Sequence, residues 1–301
     1  MKVRYWLILL NIIIFSVSPL FSQVYKYKLF DQDNQLNNNF INKIIQDNLG
    51  NLWIATSEDL SFYNGQKIIN YTTDNGLADN FITEAYKDSY GILWFGHQNG
   101  NITIFNANKF HILKTGLSSI ISGIVEDPLG NIWVSSQNQG ILRIRNYEIT
   151  HFSVPEEMNI TTIGFLEDSI ILAGTISGLF IWDLDNNLRL TNYREINEFK
   201  EFNITSIQYN PDKNHAWITT SDNGIFFLSV NGKSINPVKI NIQEDTIENV
   251  QDIFEDEKGI LWISTFGSGL YKLLPTSDTT TFVIATNYNK TNGLPNNYIK
   301  T

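Results

Sequence analysis

The chain has 301 residues, of which 42% are hydrophobic and 13% aromatic, enough to bury one large core or two modest ones. Its formal net charge of −10 gives no bulk attraction to nucleic acid or to an anionic membrane surface, so no nucleic-acid partner is expected. With no cysteine, disulfide frameworks, thiolate nucleophiles and Cys-ligated metals are excluded.

Residues 1–22 differ from the rest. Lys2 and Arg4 supply a positive start, Tyr5 to Val17 is almost continuously apolar, and Ser18-Pro19-Leu20-Phe21-Ser22 leads to Gln23. This is the order of a secretory signal peptide. The apolar run is short for a membrane-spanning helix, which needs roughly 20 residues. An uncleaved N-terminal anchor is the alternative. Residues 23–301 then form a single all-β unit.

Tyr25 to Phe30 reads as an isolated strand, followed by a turn over Asp31 to Asn39. From there the chain repeats itself. Asp47-Asn48-Leu49-Gly50-Asn51-Leu52-Trp53-Ile54 recurs as Asp88 to Phe95, Asp127 to Val134 and Asp256 to Ile263. Asn210 to Ile218 is a longer copy ending in Trp217. Asp168 to Leu172 is a shortened copy that puts Ile171 in the Trp place. The resulting spacings are 41, 39, 38, 46 and 45 residues, and a period near 40 suits four short strands of a propeller blade. A first-strand landmark precedes each copy: Ile41, Ile82, Ile121, Ile160, Ile204 and Val250.

The second repeat shows the four strands: Ile82 to Lys87, Ile92 to His97, Ile102 to Phe105 and Phe110 to Lys114. Asn64-Gly65 and Asn231-Gly232 fall between third and fourth strands, where a type I′ turn is expected. The Asp of each repeat accepts turn amides and the Gly takes a positive φ. Trp53, Trp94, Trp133, Trp217 and Trp262 then face the next blade as apolar wedges, while Trp182 sits out of register on a third strand.

Asn292-Gly293-Leu294-Pro295-Asn296-Asn297-Tyr298-Ile299 repeats Asn75 to Ile82, so a seventh copy opens near Thr301. The expected fold is a β-propeller of four-stranded blades, six full blades plus parts of a seventh. It would be seven-bladed when complete, closed by the strand at Tyr25 to Phe30. A six-bladed ring is the competing count.

These repeats resemble the two-component regulator propeller repeat, best at Asp47–Thr56 and Asp256–Thr265. The likeness covers nearly all of residues 24–301 and weakens at the fourth repeat. It implies the periplasmic sensor part of a membrane-anchored hybrid histidine kinase, one that responds to an oligosaccharide. The same likeness implies a second propeller or β-sandwich of the same full-length chain as partner, with a homodimer also expected. Propellers of this repeat type are also similar to accessory scaffolds of a bacterial protein-secretion system, which keeps a surface-interaction role open.

No catalytic constellation is visible, and no cofactor is implied. The four histidines, His97, His111, His151 and His215, share no metal-ligand spacing, and most read as surface or turn residues. Strand alternation puts the loops before each first strand and after each second strand on one face. That face offers His97, Gln98, Gln137, Asn138 and Asp222 to a ligand. The starts of the first strands line the channel mouth with Asn42, Lys43, Thr83, Glu84, Ser122, Thr162, Ser206 and Asp252. A polysaccharide-acting enzyme is the remaining reading, and only Glu84 and Asp252 come near the acidic pair it would need.

Overall fold

The Asp-x-x-Gly turns organise the chain locally. In each, Asp Oδ1 accepts the amides two and four residues on: Leu49 and Asn51 at Asp47, Leu129 and Asn131 at Asp127, Lys258 and Ile260 at Asp256. The turn Gly sits at positive φ, from 76° at Gly259 to 85° at Gly50. The second carboxylate oxygen does something the spacing did not reveal. It accepts the indole N–H of the same repeat's Trp, at 3.1 Å for Asp47–Trp53 and 2.9 Å for both Asp88–Trp94 and Asp127–Trp133. Turn and wedge are therefore one unit, and the buried indole N–H is satisfied.

The computed structural model describes residues 29–30, 36–155, 158–167, 169–231, 234–243 and 246–300. It is an all-β propeller of six four-stranded antiparallel meanders, spanning 41–71, 82–113, 121–152, 160–195, 204–239 and 250–288. In each blade the first strand is innermost. The sixth blade departs from the expected pattern, because Asn241–Gln243 adds a fifth, parallel strand outside Thr281–Tyr288. The signal-peptide segment, most of Tyr25 to Phe30, Asp168, Gly232 and Thr301 lie outside the described residues. No helix among the described residues is long and apolar enough to cross a membrane.

The core lies between blades rather than within them. Five buried clusters fill the five successive interfaces from blade 1/2 to blade 5/6. Trp53, Trp94, Trp133 and Trp217 each face the following blade, as expected. Each buries an area worth, as an upper estimate, about 4–6 kcal/mol. Small residues opposite let the sheets approach: a Cβ added at Gly96 would lie 2.5 Å from Ile121 Cγ2.

Several sequence expectations need correction. In blade 4, Thr162 pairs with Gly174 as Lys43 pairs with Ala55, so Leu172 and not Ile171 occupies the Trp place. Leu172 packs toward blade 5, whereas Ile171 joins Trp133 and Trp182 at the blade 3/4 interface. Trp182 is thus core, facing the preceding blade. Trp262 is half-buried and belongs to none of the clusters. It stacks on Tyr288 at 6.1 Å and lies under the Lys272 ammonium. The Asn64-Gly65 connection is a longer loop in which Asn64 Oδ1 accepts the Gln66 and Lys67 amides. Paired positive φ values, the mark of a type I′ turn, occur instead at Ala107-Asn108 and Asn146-Tyr147. Finally, His97 and His215 are buried, not surface residues.

Candidate functional site: the axial channel

Every inner strand carries the same irregularity. Register shifts fall between Ile41 and Lys43, Ile82 and Glu84, Ile160 and Thr162, Ile204 and Ser206, and Val250 and Asp252. In blade 3 the shift lies opposite Ser135/Ser136 and leaves Ser122 unpaired. Each is a β-bulge of one residue: Asn42, Thr83, Ser122, Thr161, Thr205 and Gln251. A bulge leaves one residue out of the ladder and re-aims the side chains around it. Six bulges at one level therefore turn polar side chains toward the axis.

Some of these polar groups stitch the ring together. Asn42 Nδ2 donates to Ile82 O at 2.8 Å, Thr83 Oγ1 to Ile121 O at 2.7 Å, and Thr161 Oγ1 to Ile204 O at 2.7 Å. In each case the bulge residue of one blade holds the first inner residue of the next.

The others line two cavities, of about 440 Å³ and 720 Å³. The two share six residues, Lys43, Glu84, Ser122, Thr162, Ser206 and Asp252, which form a constriction ring. The smaller cavity opens at the strand starts and adds Asn42, Thr83, Gln137 and Lys300. The larger opens at the Asp-turn end and is lined by Tyr86, Phe165, Tyr209, Phe254 and Trp262 among others. One mouth is hydroxyl- and amide-rich; the other is aromatic.

Charge in the ring is confined to one arc. Lys43 Nζ lies 3.1 Å from Asp252 Oδ2, and Ser206 Oγ donates to Asp252 Oδ1 at 2.5 Å. Lys300 Nζ donates to Asn42 Oδ1 at 2.7 Å. Burial opposes the charge on Lys43, but the carboxylates of Asp252 and Glu84 outweigh it and hold the ammonium above its usual range. Burial likewise opposes ionisation of Asp252, yet Lys43 and the Ser206 hydroxyl keep that carboxyl below the usual carboxylate value. Glu84 behaves oppositely: burial holds it high, against the pull of Lys43.

All eight residues expected at the channel mouth line the smaller cavity, and Gln137 joins them. The remaining face residues do not. Gln98, Asn138 and Asp222 are exposed on loops away from it. His97 is fully buried, with Nε2 2.7 Å from Thr103 Oγ1 and its pKa lowered to about 4 by burial. Lys300, Thr161, Thr205 and Gln251 line the cavity and were not anticipated. The signal for Lys300 was present: it follows Ile299 as Asn42 follows Ile41. Among the described residues no three His, Asp or Glu side chains converge to hold a metal ion.

Together these features define a β-propeller with a polar, partly charged axial channel. Residues 35–58, 76–99 and 246–267 match the family model described as two component regulator propeller. The matched segments cover the inner two strands of blades 1, 2 and 6. These three segments are thus similar to the two-component regulator propeller repeat. No curated protein sequence matches it significantly.

Similar solved structures include the extracellular domain described as that of a hybrid two component system, BT3049, from B. thetaiotaomicron. The two are 19% identical with a TM-score of 0.73, over 91% of this chain and 38% of that one. PorZ, a bacterial surface component of the type-IX secretion system of Porphyromonas gingivalis, is 16% identical with a TM-score of 0.70. It is matched over 92% of this chain and 45% of its own. Virginiamycin B lyase from Staphylococcus aureus is 19% identical with a TM-score of 0.65, over 78% of this chain and 81% of its own. This chain thus spans well under half of the first structure it matches. At these identities the likeness shows the fold.

Proposed function

We propose that this propeller is the extracytoplasmic ligand-sensing domain of a two-component receptor, exported to the periplasm by its N-terminal segment and answering to a carbohydrate. The observation that carries the reading is the ring of bulged polar side chains at the channel constriction. A cavity of about 440 Å³ walled by hydroxyls, amides and carboxylates matches the donor and acceptor pattern of a sugar. Ligand binding there would bias the packing of the propeller against its neighbours, and that bias would pass across the membrane to a kinase on the same protein.

The complete ring would have seven blades. The Ile299 amide donates to Thr265 O at 2.9 Å, Ser264 Oγ donates to Lys300 O, and Tyr298 bridges Phe266. These contacts of residues 298–300 with blade 6 support an inner strand of a further blade starting there. Lys300, at the bulge position, reaches blade 1 at Asn42 as other bulge residues reach their next blade.

Calorimetric titration of the exported protein with a panel of oligosaccharides tests the sensing reading. A saturable ligand whose affinity falls in Ser206→Ala and Glu84→Gln supports it; silence across the panel counts against a carbohydrate as the ligand. The likeness to PorZ favours a second reading, a surface scaffold. Reading the coding sequence beyond Thr301 separates the two: a membrane span and kinase motifs support the receptor, a stop after one closed ring supports the scaffold.

A further inference from the structure

We propose that the charged arc of the channel takes a small zwitterion, an amino acid or short peptide, with its ammonium on Glu84 and its carboxylate on Lys300. The proposal rests on the channel being the ligand site of a sensor, and it gives that site a zwitterion in place of a carbohydrate.

Four charged side chains face the smaller cavity: Lys43, Glu84, Asp252 and Lys300. Two of them satisfy one another. Lys43 and Asp252 are in direct contact, and Ser206 takes the second oxygen of Asp252. Glu84 and Lys300 are different. Among the described residues neither has an oppositely charged partner within 4 Å, and the Lys300 ammonium rests on the neutral Asn42 carboxamide. Burial pushes Glu84 up and Lys300 down, the direction in which each charge is undercompensated.

Beside Glu84 the ring lacks a side chain at one position. At the ring position after each bulge stand Lys43, Glu84, Gly123, Thr162, Ser206 and Asp252. Gly123, next to Glu84, has no side chain, because a Cβ there would lie 2.7 Å from Ile163 Cγ2. On the blade 3 side the ring therefore carries no side chain at this position, and Ser122 and Thr162 line the same cavity as Glu84. Glu84 and Lys300 attract one another without direct contact, and two separated charges of opposite sign in one cavity favour a ligand that carries both. A simple anion satisfies Lys300 and is repelled by Glu84; a simple cation meets the reverse.

The full-length protein would be titrated with the common amino acids and with glycylglycine, alongside the N-acetyl and amide form of any that binds. A zwitterion should bind, and blocking either end should weaken it about tenfold, the loss of one charge-assisted hydrogen bond. Glu84→Gln should abolish the discrimination against the N-acetyl form, and Lys300→Met that against the amide. Because blocking acts on the ligand, it tests the proposal even where a variant folds poorly. Absence of zwitterion binding, or binding indifferent to both end groups, overturns it. If neutral oligosaccharides bind while zwitterions do not, only this assignment falls; if neither class binds, the sensing reading falls with it.

Discussion

Trp217 Nε1 donates to Glu255 Oε2 at 2.9 Å, across the boundary from blade 5 to blade 6. In blades 1, 2 and 3 the same indole bonds the Asp of its own turn. Blade 5 carries Asn210 there, and the missing acid is supplied by its neighbour. Glu255 also takes Asn210 Nδ2, Lys213 Nζ and His215 Nε2, so one carboxylate with a side chain 5% exposed gathers four donors. Burial opposes this charge, but the Lys213, Trp217 and Asn210 hydrogen bonds outweigh it and lower the pKa to about 2.

The linkage follows in sign. A carboxyl depressed in the folded state adds stability that is present above its unfolded value of about 4.5 and is lost as pH falls toward 2. Glu255→Gln should lower unfolding free energy by about 2–3 kcal/mol at pH 6. The gap between variant and native chain should close by pH 2. Urea midpoints measured across this range check it, and a pH-independent gap would show that the cluster acts by packing alone.

His97 adds a second acid-labile contribution. Its folded pKa of about 4 lies below the ordinary 6.5, so protonation favours unfolding and stability falls as pH drops from 6.5 toward 4. His97→Gln should flatten the stability profile over that interval while leaving the slope below pH 4 to Glu255. Thermal melts at half-unit pH steps would resolve the two windows.

The tryptophans should separate into two classes. Trp133 is fully buried between blades and bonded to Asp127, so Trp133→Ala should lose about 3–5 kcal/mol. Trp262 stands half-buried outside every interface cluster, so Trp262→Ala should lose about 1 kcal/mol in the 301-residue chain. In a longer protein with a seventh blade the second figure should rise to match the first. Equal losses from Trp262→Ala in both chains would argue against a blade beside it.

The Lys43–Asp252 pair joins the first blade to the sixth, but both side chains are partly open to the channel, at 30% and 22%. Their coupling in a double-mutant cycle of Lys43→Met and Asp252→Asn should therefore be about 1 kcal/mol and shrink in high salt. A coupling above about 3 kcal/mol would make the pair a structural clasp.

Much of the architecture could be read from the residues because its signals are local. The Asp-x-x-Gly turn, the Trp three residues after its Gly and the first-strand Ile or Val twelve residues before that Trp lie within one hairpin. With the first-strand landmark they mark the inner strands of the blades, and the eight positions picked from them line the smaller cavity. The blade 4 error shows the limit. A shortened turn moved the reading by one residue, and in a strand one residue exchanges the two faces, so Ile171 was assigned the interface that belongs to Leu172. The twelve-residue offset from Ile160 would have restored it.

The sequence by itself determined the repeat, the strand count of a blade and the apolar wedge between blades, because each follows from side-chain alternation and turn chemistry over about 40 residues. Tertiary structure alone decided what depends on neighbours distant in the chain. Glu255 replaces a missing Asp because blade 6 packs against blade 5. Lys43 meets Asp252 because a ring brings residues 209 positions apart to one axis. His97 loses its solvent because the loop before its own blade closes over it, with the Gln98 amide donating to Phe81 O. Bulges, being set by the fit of each strand to its partner, carry no residue signature of their own, yet they are what turns this channel polar.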